Sequence, residues 1–289
     1  MSAAQGSSAH AAVSDRAAAI LADVANSTAD AWTWLAACGV QDVVVAVDAG
    51  LSSLPWGALP SGLTAQGTRL CEDFASVRIA PGLPTTSGSR PVEQGWSVTT
   101  VDAGERIRGF AKLSAQLARA VEATQPAVAI HAHDAAGVTP SALFDAVRGR
   151  DVAIVLAHGS ADDVPRILLG PTAVAAADDV RAAAPLPIGT LLLAVCGSGR
   201  DHADTAEWGA LAAAFLASGA RRVVAALADV PAESALALAC AIAPELAGDS
   251  RSVARALAAF QRGHLTDGSV PMSALVPADA LLFQLFCLG

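Results

Sequence analysis

Val152-Ala-Ile-Val-Leu-Ala-His-Gly159 and Leu191-Leu-Leu-Ala-Val-Cys-Gly-Ser-Gly199 are two short apolar runs, and each leads directly into a reactive residue beside a glycine. Runs of this length, rich in β-branched residues and leucine and lacking polar alternation, read as strands buried on both faces. In open α/β sheets, sites form beyond the carboxyl ends of the strands. If these two strands are neighbours, their tips lie about 5 Å apart by the usual inter-strand spacing. Imidazole and thiol can then share one substrate carbonyl. A thiolate attacks an acyl carbon, and an imidazole manages the protons of thiol and leaving group. Gly159 and Gly197 let a peptide backbone approach closely, and the N–H groups of Gly159 and Cys196 are candidates to hold an oxyanion. Taken alone, the same residues also fit a buried core cysteine and a hydrogen-bonded structural histidine.

Working outward, the pattern repeats. Ala11 to Cys38 has apolar residues at helical spacing and ends at Gly39. Asp42-Val-Val-Val-Ala-Val47 is a short β-branched run, followed by a connection rich in Pro, Gly and Ser from Leu51 to Gly67. Val77 to Ala80 and Trp96 to Val101 read as strands, with a polar loop from Gly82 to Gly95 between them. Ile107 to Thr124 is an amphipathic helix, and Ala127 to His131 the next strand. Thr139 is placed to cap a helix with Pro140 in its first turn. Thr205 to Ser218 reads as a helix closed by Gly219, its positive end near Cys196. Arg222 to Leu227 is a strand, Pro231 to Leu246 and Val253 to Arg262 are helices, and Leu281 to Leu288 is a closing strand. Short apolar strands alternating with helices mean a mostly parallel sheet covered on both faces. Residues 1–39 read as a helical extension, with a bland packing role favoured over docking, and 40–289 as a single α/β domain.

Composition narrows the class. The chain has 289 residues, 53% of them hydrophobic and 16% charged, a balance that excludes disorder. Its formal net charge is −9, and no segment gathers arginine into a basic face, which argues against a nucleic acid partner. No apolar run approaches membrane-spanning length. Asp15, Arg16 and Asp23 interrupt the N-terminal alanines, against a secretory leader. Five cysteines, odd in number and widely spaced, fit neither a disulfide framework nor structural zinc, and suit a reducing cytoplasm.

The motifs resemble one family. Val43 to Pro60, with Asp48, Leu51, Leu54, Pro55, Trp56 and Leu59, looks like the opening block of CHAT domains, which are caspase-like cysteine peptidase domains. Val77-Arg-Ile-Ala-Pro81 is similar to the next strand, with Gly82 where the family has Ser. Ile154 to Gly159 resembles its histidine motif and Leu191 to Gly199 its cysteine motif. Glu207 to Leu227 resembles its helix-to-strand block, and Phe283 to Gly289 its last strand. The resemblance covers about residues 40 to 289. It implies a caspase/haemoglobinase-like three-layer sandwich with a mostly parallel sheet flanked by helices. It also implies a catalytic His158, a nucleophilic Cys196, and oxyanion donors at Gly159 and Cys196. The expected partners are a protein substrate and a regulatory or sensor protein, with no cofactor, no metal, no nucleic acid and no membrane. Three positions depart from the pattern: Val195 for Ala, Gly197 for a polar residue, and Ala228 for Trp. They bear on substrate recognition, for which Gly197, Asp162, Asp201, Leu227 and Ala228 are the candidates.

Other readings fit less well. Cys196-Gly-Ser-Gly199 has His202 where a dinucleotide fingerprint needs its third glycine. The one lysine, Lys112, is not in a phosphate loop, and no G-x-S-x-G elbow occurs. His131-Ala-His133-Asp134 puts two imidazoles on one strand face but lacks further ligands, so local hydrogen bonding is the simpler reading. Asp162, Asp163, Asp201, Asp204 and Glu207 are either solvated loop acids or a rim favouring a basic substrate residue. Arg166 and Arg200 allow the opposite preference. Trp32, Trp34 and Trp208 read as core anchors. The Gly82 to Gly95 loop is a candidate latch.

Overall fold

The computed structural model describes residues 3–48, 51, 54–63, 68–81, 93–102, 110–133, 137–160, 164–199, 211–266 and 282–287. Side chains alternate across the central strands so that both faces are apolar. In the strand Arg150–Ala157, Ala153, Val155 and Ala157 join one buried cluster, and Val152, Ile154 and Leu156 join the other. The strand Ile188–Ala194 splits in the same way, with Leu191 and Leu193 on one side and Leu192 and Ala194 on the other. A strand apolar on both faces requires a helical layer above and below.

In chain order the strands are β1 (Asp42–Val47), β2 (Ser76–Pro81), β3 (Glu93–Val101), β4 (Val128–His133), β5 (Arg150–Ala157), β6 (Arg166–Leu168), β7 (Val174–Ala176), β8 (Ile188–Ala194), β9 (Ala220–Ala226) and β10 (Phe283–Cys287). The main sheet has the order β1-β2-β10-β9-β8-β5-β3-β4, and β6 and β7 form a separate antiparallel pair. Every neighbouring pair of the main sheet is parallel except β10 with β9, where Phe283 lies opposite Ala226. The helices are α1 (Ala3–Ala37), α2 (Leu70–Asp73), α3 (Phe110–Thr124), α4 (Pro140–Val147), α5 (Ala177–Ala182), α6 (Leu211–Ala217), α7 (Ala232–Ile242) and α8 (Ser250–Thr266). One face of the sheet packs on α1, α4, α5 and α6, and the opposite face on α3, α7 and α8. The result is the expected three-layer sandwich. Among the described residues, no helix is long and apolar enough to cross a membrane.

Local chemistry explains the element ends. Thr139 Oγ1 accepts the Ala142 N–H at 3.3 Å and Pro140 opens α4, as its sequence predicts. α6 is leucine, alanine and phenylalanine throughout and is buried on nearly all sides, so alanine lets it lie close on the sheet. The predicted helix from Pro231 to Leu246 is divided: α7 stops at Ile242, and Ala243–Glu245 continues as a 3-10 turn around Pro244.

Two expectations are corrected. Trp34 is not a core anchor but 66% exposed, whereas Trp32, two residues earlier, is buried at 5%. Residues two apart on a helix point to different sides, so both could not face one core. β3 begins at Glu93, so Gly95 belongs to a strand rather than to the preceding loop. The hairpin β6–β7 and the short helices α2 and α5 are additional to the sequence reading. Trp208 and residues 82–92 lie outside the described residues.

The edge strand β1 is fastened through its first residue. Asp42 receives a two-bond fork from Arg255 at 3.0 and 2.8 Å, a hydroxyl from Ser76 at 2.8 Å, and Arg251 at 3.2 Å. The Arg255 guanidinium, seconded by Ser76, holds the Asp42 carboxyl below its ordinary value of 3.8, against an opposing effect of burial. A group lowered in this way contributes its stability above the unfolded pKa and loses it as pH falls through the folded one. Asp42→Asn is therefore expected to cost about 1–2 kcal/mol at pH 7, allowing for solvent screening of the arginines. Urea denaturation of both proteins should show that gap at neutral pH and its progressive loss as pH falls below the ordinary carboxylate value of 3.8.

Candidate active site

β5 and β8 are hydrogen-bonded neighbours in parallel register, with Leu156 opposite Ala194. His158 and Cys196 each follow two residues after that last pair, on the same edge of the sheet. The two loops touch. A methyl group added to Gly159 would lie 2.2 Å from the Cys196 carbonyl oxygen and 3.1 Å from Cys196 Cβ. Only glycine permits that approach. Among the described residues, neither the Gly159 nor the Cys196 N–H donates to a backbone carbonyl.

Each loop is held by its own bonds. The His158 carbonyl accepts the Leu168 N–H at 2.9 Å, and the Ser160 N–H donates to Arg166 O at 3.0 Å. Ser160 Oγ donates to Val164 O at 3.0 Å. The β6–β7 hairpin thus clips the histidine loop in place. On the cysteine side, residues 196–199 form a turn with Gly197 at φ +66°, a left-handed conformation that suits glycine. The Gly197 N–H donates to Ala228 O at 3.1 Å and the Gly199 N–H to Ala226 O at 2.8 Å. Buried Ser198 accepts the Ala226 N–H and donates to Leu193 O, each at 3.3 Å, so it joins β8 to β9.

A cavity of about 280 Å³ opens beside the pair, lined by Leu156, Ala157, His158, Ala194, Cys196, Val230, Pro231, Ala232, Glu233 and Ala235. His158 and Cys196 therefore share one cavity. The Cys196 thiol is half-buried and donates to Val230 O at 3.5 Å, while the Val230 N–H donates to Sγ at 3.5 Å. α7 begins two residues beyond Val230, so the positive end of that helix lies beside the sulfur. The sequence assigned this dipole to a helix starting near Thr205, which lies outside the described residues.

Substrate-side candidates are placed as follows. Gly197 lies in the cysteine turn. Leu227 is buried in the core, and Ala228 bonds Gly197 through its carbonyl. The cavity wall begins two residues later, at Val230. Asp162 and Asp201 lie outside the described residues, as do Asp163, Asp204, Glu207, Arg200 and His202. Sequence reasoning missed Val230, Pro231, Ala232 and Glu233, although their position just after a strand could have flagged them. It also missed Asp102, only 6% exposed at the end of β3. Val101 pairs with Ala157, so Asp102 falls beside His158 on the adjoining strand.

Burial pushes Cys71 up to about 12 and also raises Cys287 and Cys240, whereas Cys38 is exposed. On β4, His131 is held below its ordinary value by burial, then by His133 and Arg150, and its buried Nε2 has no hydrogen-bond partner among the described residues. Among the described residues, no three His, Cys, Asp or Glu gather as a metal site.

Gly159→Ala tests the contact between the loops. Its Cβ would force the Cys196 carbonyl aside, at a cost of about 1–3 kcal/mol. Denaturation should show that loss, and iodoacetamide modification of Cys196 should change in rate while that of exposed Cys38 does not.

Comparison with known proteins places this geometry in context. The family model of the CHAT domain matches residues 17–273, starting within α1. A search of curated proteins finds no match. Among solved structures, the chain is similar to separase in the Saccharomyces cerevisiae separase–securin complex, with 13% identity and a TM-score of 0.52 over 86% of this chain and 15% of separase. It is also similar to the Arg-specific cysteine proteinase gingipain R, with 12% identity and a TM-score of 0.55 over 86% of this chain and 62% of that one. The complex of pro- and mature domains of Porphyromonas gingivalis RgpB gives 11% identity and a TM-score of 0.56, over 86% of this chain and 64% of that one. These likenesses are likenesses of the caspase-like fold, and the chain spans less than two thirds of each protein.

Proposed function

The chain belongs to the CHAT domain family, and from that premise we propose that it is a cysteine endopeptidase working through a His158–Cys196 dyad. The observation that carries the reading is the shared cavity at the carboxyl ends of two paired strands, with His158 on one tip and Cys196 on the other. The fold it shares with gingipain R, a cysteine proteinase by name, is compatible with this activity.

The chemistry follows from the groups present. His158 takes the Cys196 proton, and the thiolate attacks the carbonyl carbon of a peptide bond. The oxyanion that forms is received by the N–H groups of Gly159 and Cys196, which have no backbone carbonyl acceptor among the described residues. Such donors contribute about 10²–10³ in rate when aimed at the developing charge. The imidazolium returns its proton to the departing amine as the C–N bond breaks, leaving a thioester. Water, deprotonated by His158, attacks the thioester carbon and releases the acid and the thiol. No step calls for a cofactor or a metal. The substrate is a protein segment extended across the two loops, and a regulatory or sensor protein is the second expected partner.

A second reading also has an observation behind it. The Cys196 S–H donates to the Val230 carbonyl, so the thiol already has a partner within the protein. A caspase-like interaction domain without turnover would keep such a contact permanently. Purified protein separates the two readings when incubated with an unfolded protein such as casein and with peptide libraries. The peptidase reading predicts cleavage that Cys196→Ala abolishes and His158→Ala reduces by about 10²–10⁴-fold. Cleavage at the wild-type rate by Cys196→Ala protein contradicts it.

A further inference from the structure

The cavity beside Cys196 holds one carboxylate, Glu233, among walls that are otherwise mostly carbon. We infer that Glu233 makes this site selective for a cationic side chain, lysine or arginine, next to the bond to be cut. The inference deepens the peptidase reading and rests on it.

Three observations lead there. First, Leu156, Ala194, Val230 and Pro231 line the cavity together with Glu233, so an aliphatic stem meets carbon while its head meets a carboxylate. Lysine and arginine have that two-part character, an apolar stem and a charged tip. Second, Glu233 has no salt-bridge partner among the described residues; the pairs of Arg251 and Arg255 with Asp42, for example, do not involve it. It stands in the first turn of α7, at the helix's positive end. The protein therefore provides the carboxylate and leaves the cation to the ligand. Third, His158 is the other titratable side chain lining the cavity besides Cys196, and it belongs to the proposed dyad.

Selectivity then has two parts. A cation gains a charge-assisted hydrogen bond to Glu233. An apolar side chain makes no such bond, and an acidic one is repelled. Because Glu233 is exposed at the cavity rim, water screens the pair, and the preference for a cation over its neutral isostere is about three- to fivefold.

Equilibrium binding tests this without turnover. Fluorescein-labelled heptapeptide libraries, fixed at the central position as Arg, citrulline or Glu, are titrated into full-length Cys196→Ala protein and followed by anisotropy. The Arg library is expected to bind about three- to fivefold more tightly than the citrulline library. Glu233→Gln should remove that advantage, and Glu233→Lys should turn the preference toward the Glu library. A merely structural role for Glu233 would weaken all three libraries together. Equal affinity for Arg and citrulline, an Arg advantage that survives both substitutions, or no binding of any library overturns the inference. Since Cys196→Ala protein cannot cleave, these outcomes are read independently of whether the wild type is a peptidase.

Discussion

The parallel ladder between β5 and β8 is the constraint from which the site follows. Its register, with Leu156 opposite Ala194, fixes where each strand ends and so where His158 and Cys196 emerge. Gly159 then lies against the Cys196 carbonyl at a distance that no side chain allows. A slip of one residue would turn each side chain to the other face, moving Leu156 and Ala194 out of the cavity and into the opposite layer. Site and core are therefore set by one pairing, and the apolar alternation that fixes the core also fixes the spacing of the reactive groups.

The surrounding structure converts that pairing into a shaped cavity. β9, on the far side of β8, is tied to the cysteine turn through Ser198 and through the Gly197 and Gly199 N–H groups. The chain leaving β9 crosses back over the end of β8, puts Val230 against the sulfur, and starts α7 at the cavity wall. On the other side, the β6–β7 hairpin bonds the loop of His158. Neither clamp is part of the proposed chemistry, but each limits how far its loop can move. Reactive groups held in this way need little reorganisation when a substrate arrives.

Much of this was legible in the sequence, and for a clear reason. β5 and β8 are unbroken apolar runs that end at a reactive residue and a glycine, and such runs have few other uses. The residues that line the cavity were harder to see. Val230 to Glu233 acquire their role from the path between β9 and α7, and Asp102 acquires its place from the β3–β5 register. Both are tertiary facts with no local signature. β6 and β7 have three residues each, too short for a period to be counted, and only the Gly170-Pro171 turn between them gives a hint. Trp34 misled because its residue type suggests burial while its helical phase relative to Trp32 does not.

The most direct measurement is covalent labelling of the purified chain with a peptidyl acyloxymethyl ketone, followed by mass mapping of the modified cysteine. Cys38 serves as an internal control because it is exposed, and Cys71, buried and pushed up to about 12, serves as a silent one. A poised dyad predicts modification at Cys196 that is lost in His158→Ala protein while Cys38 behaves alike in both. Modification at Cys38 with none at Cys196, or labelling of Cys196 indifferent to His158, would contradict the account.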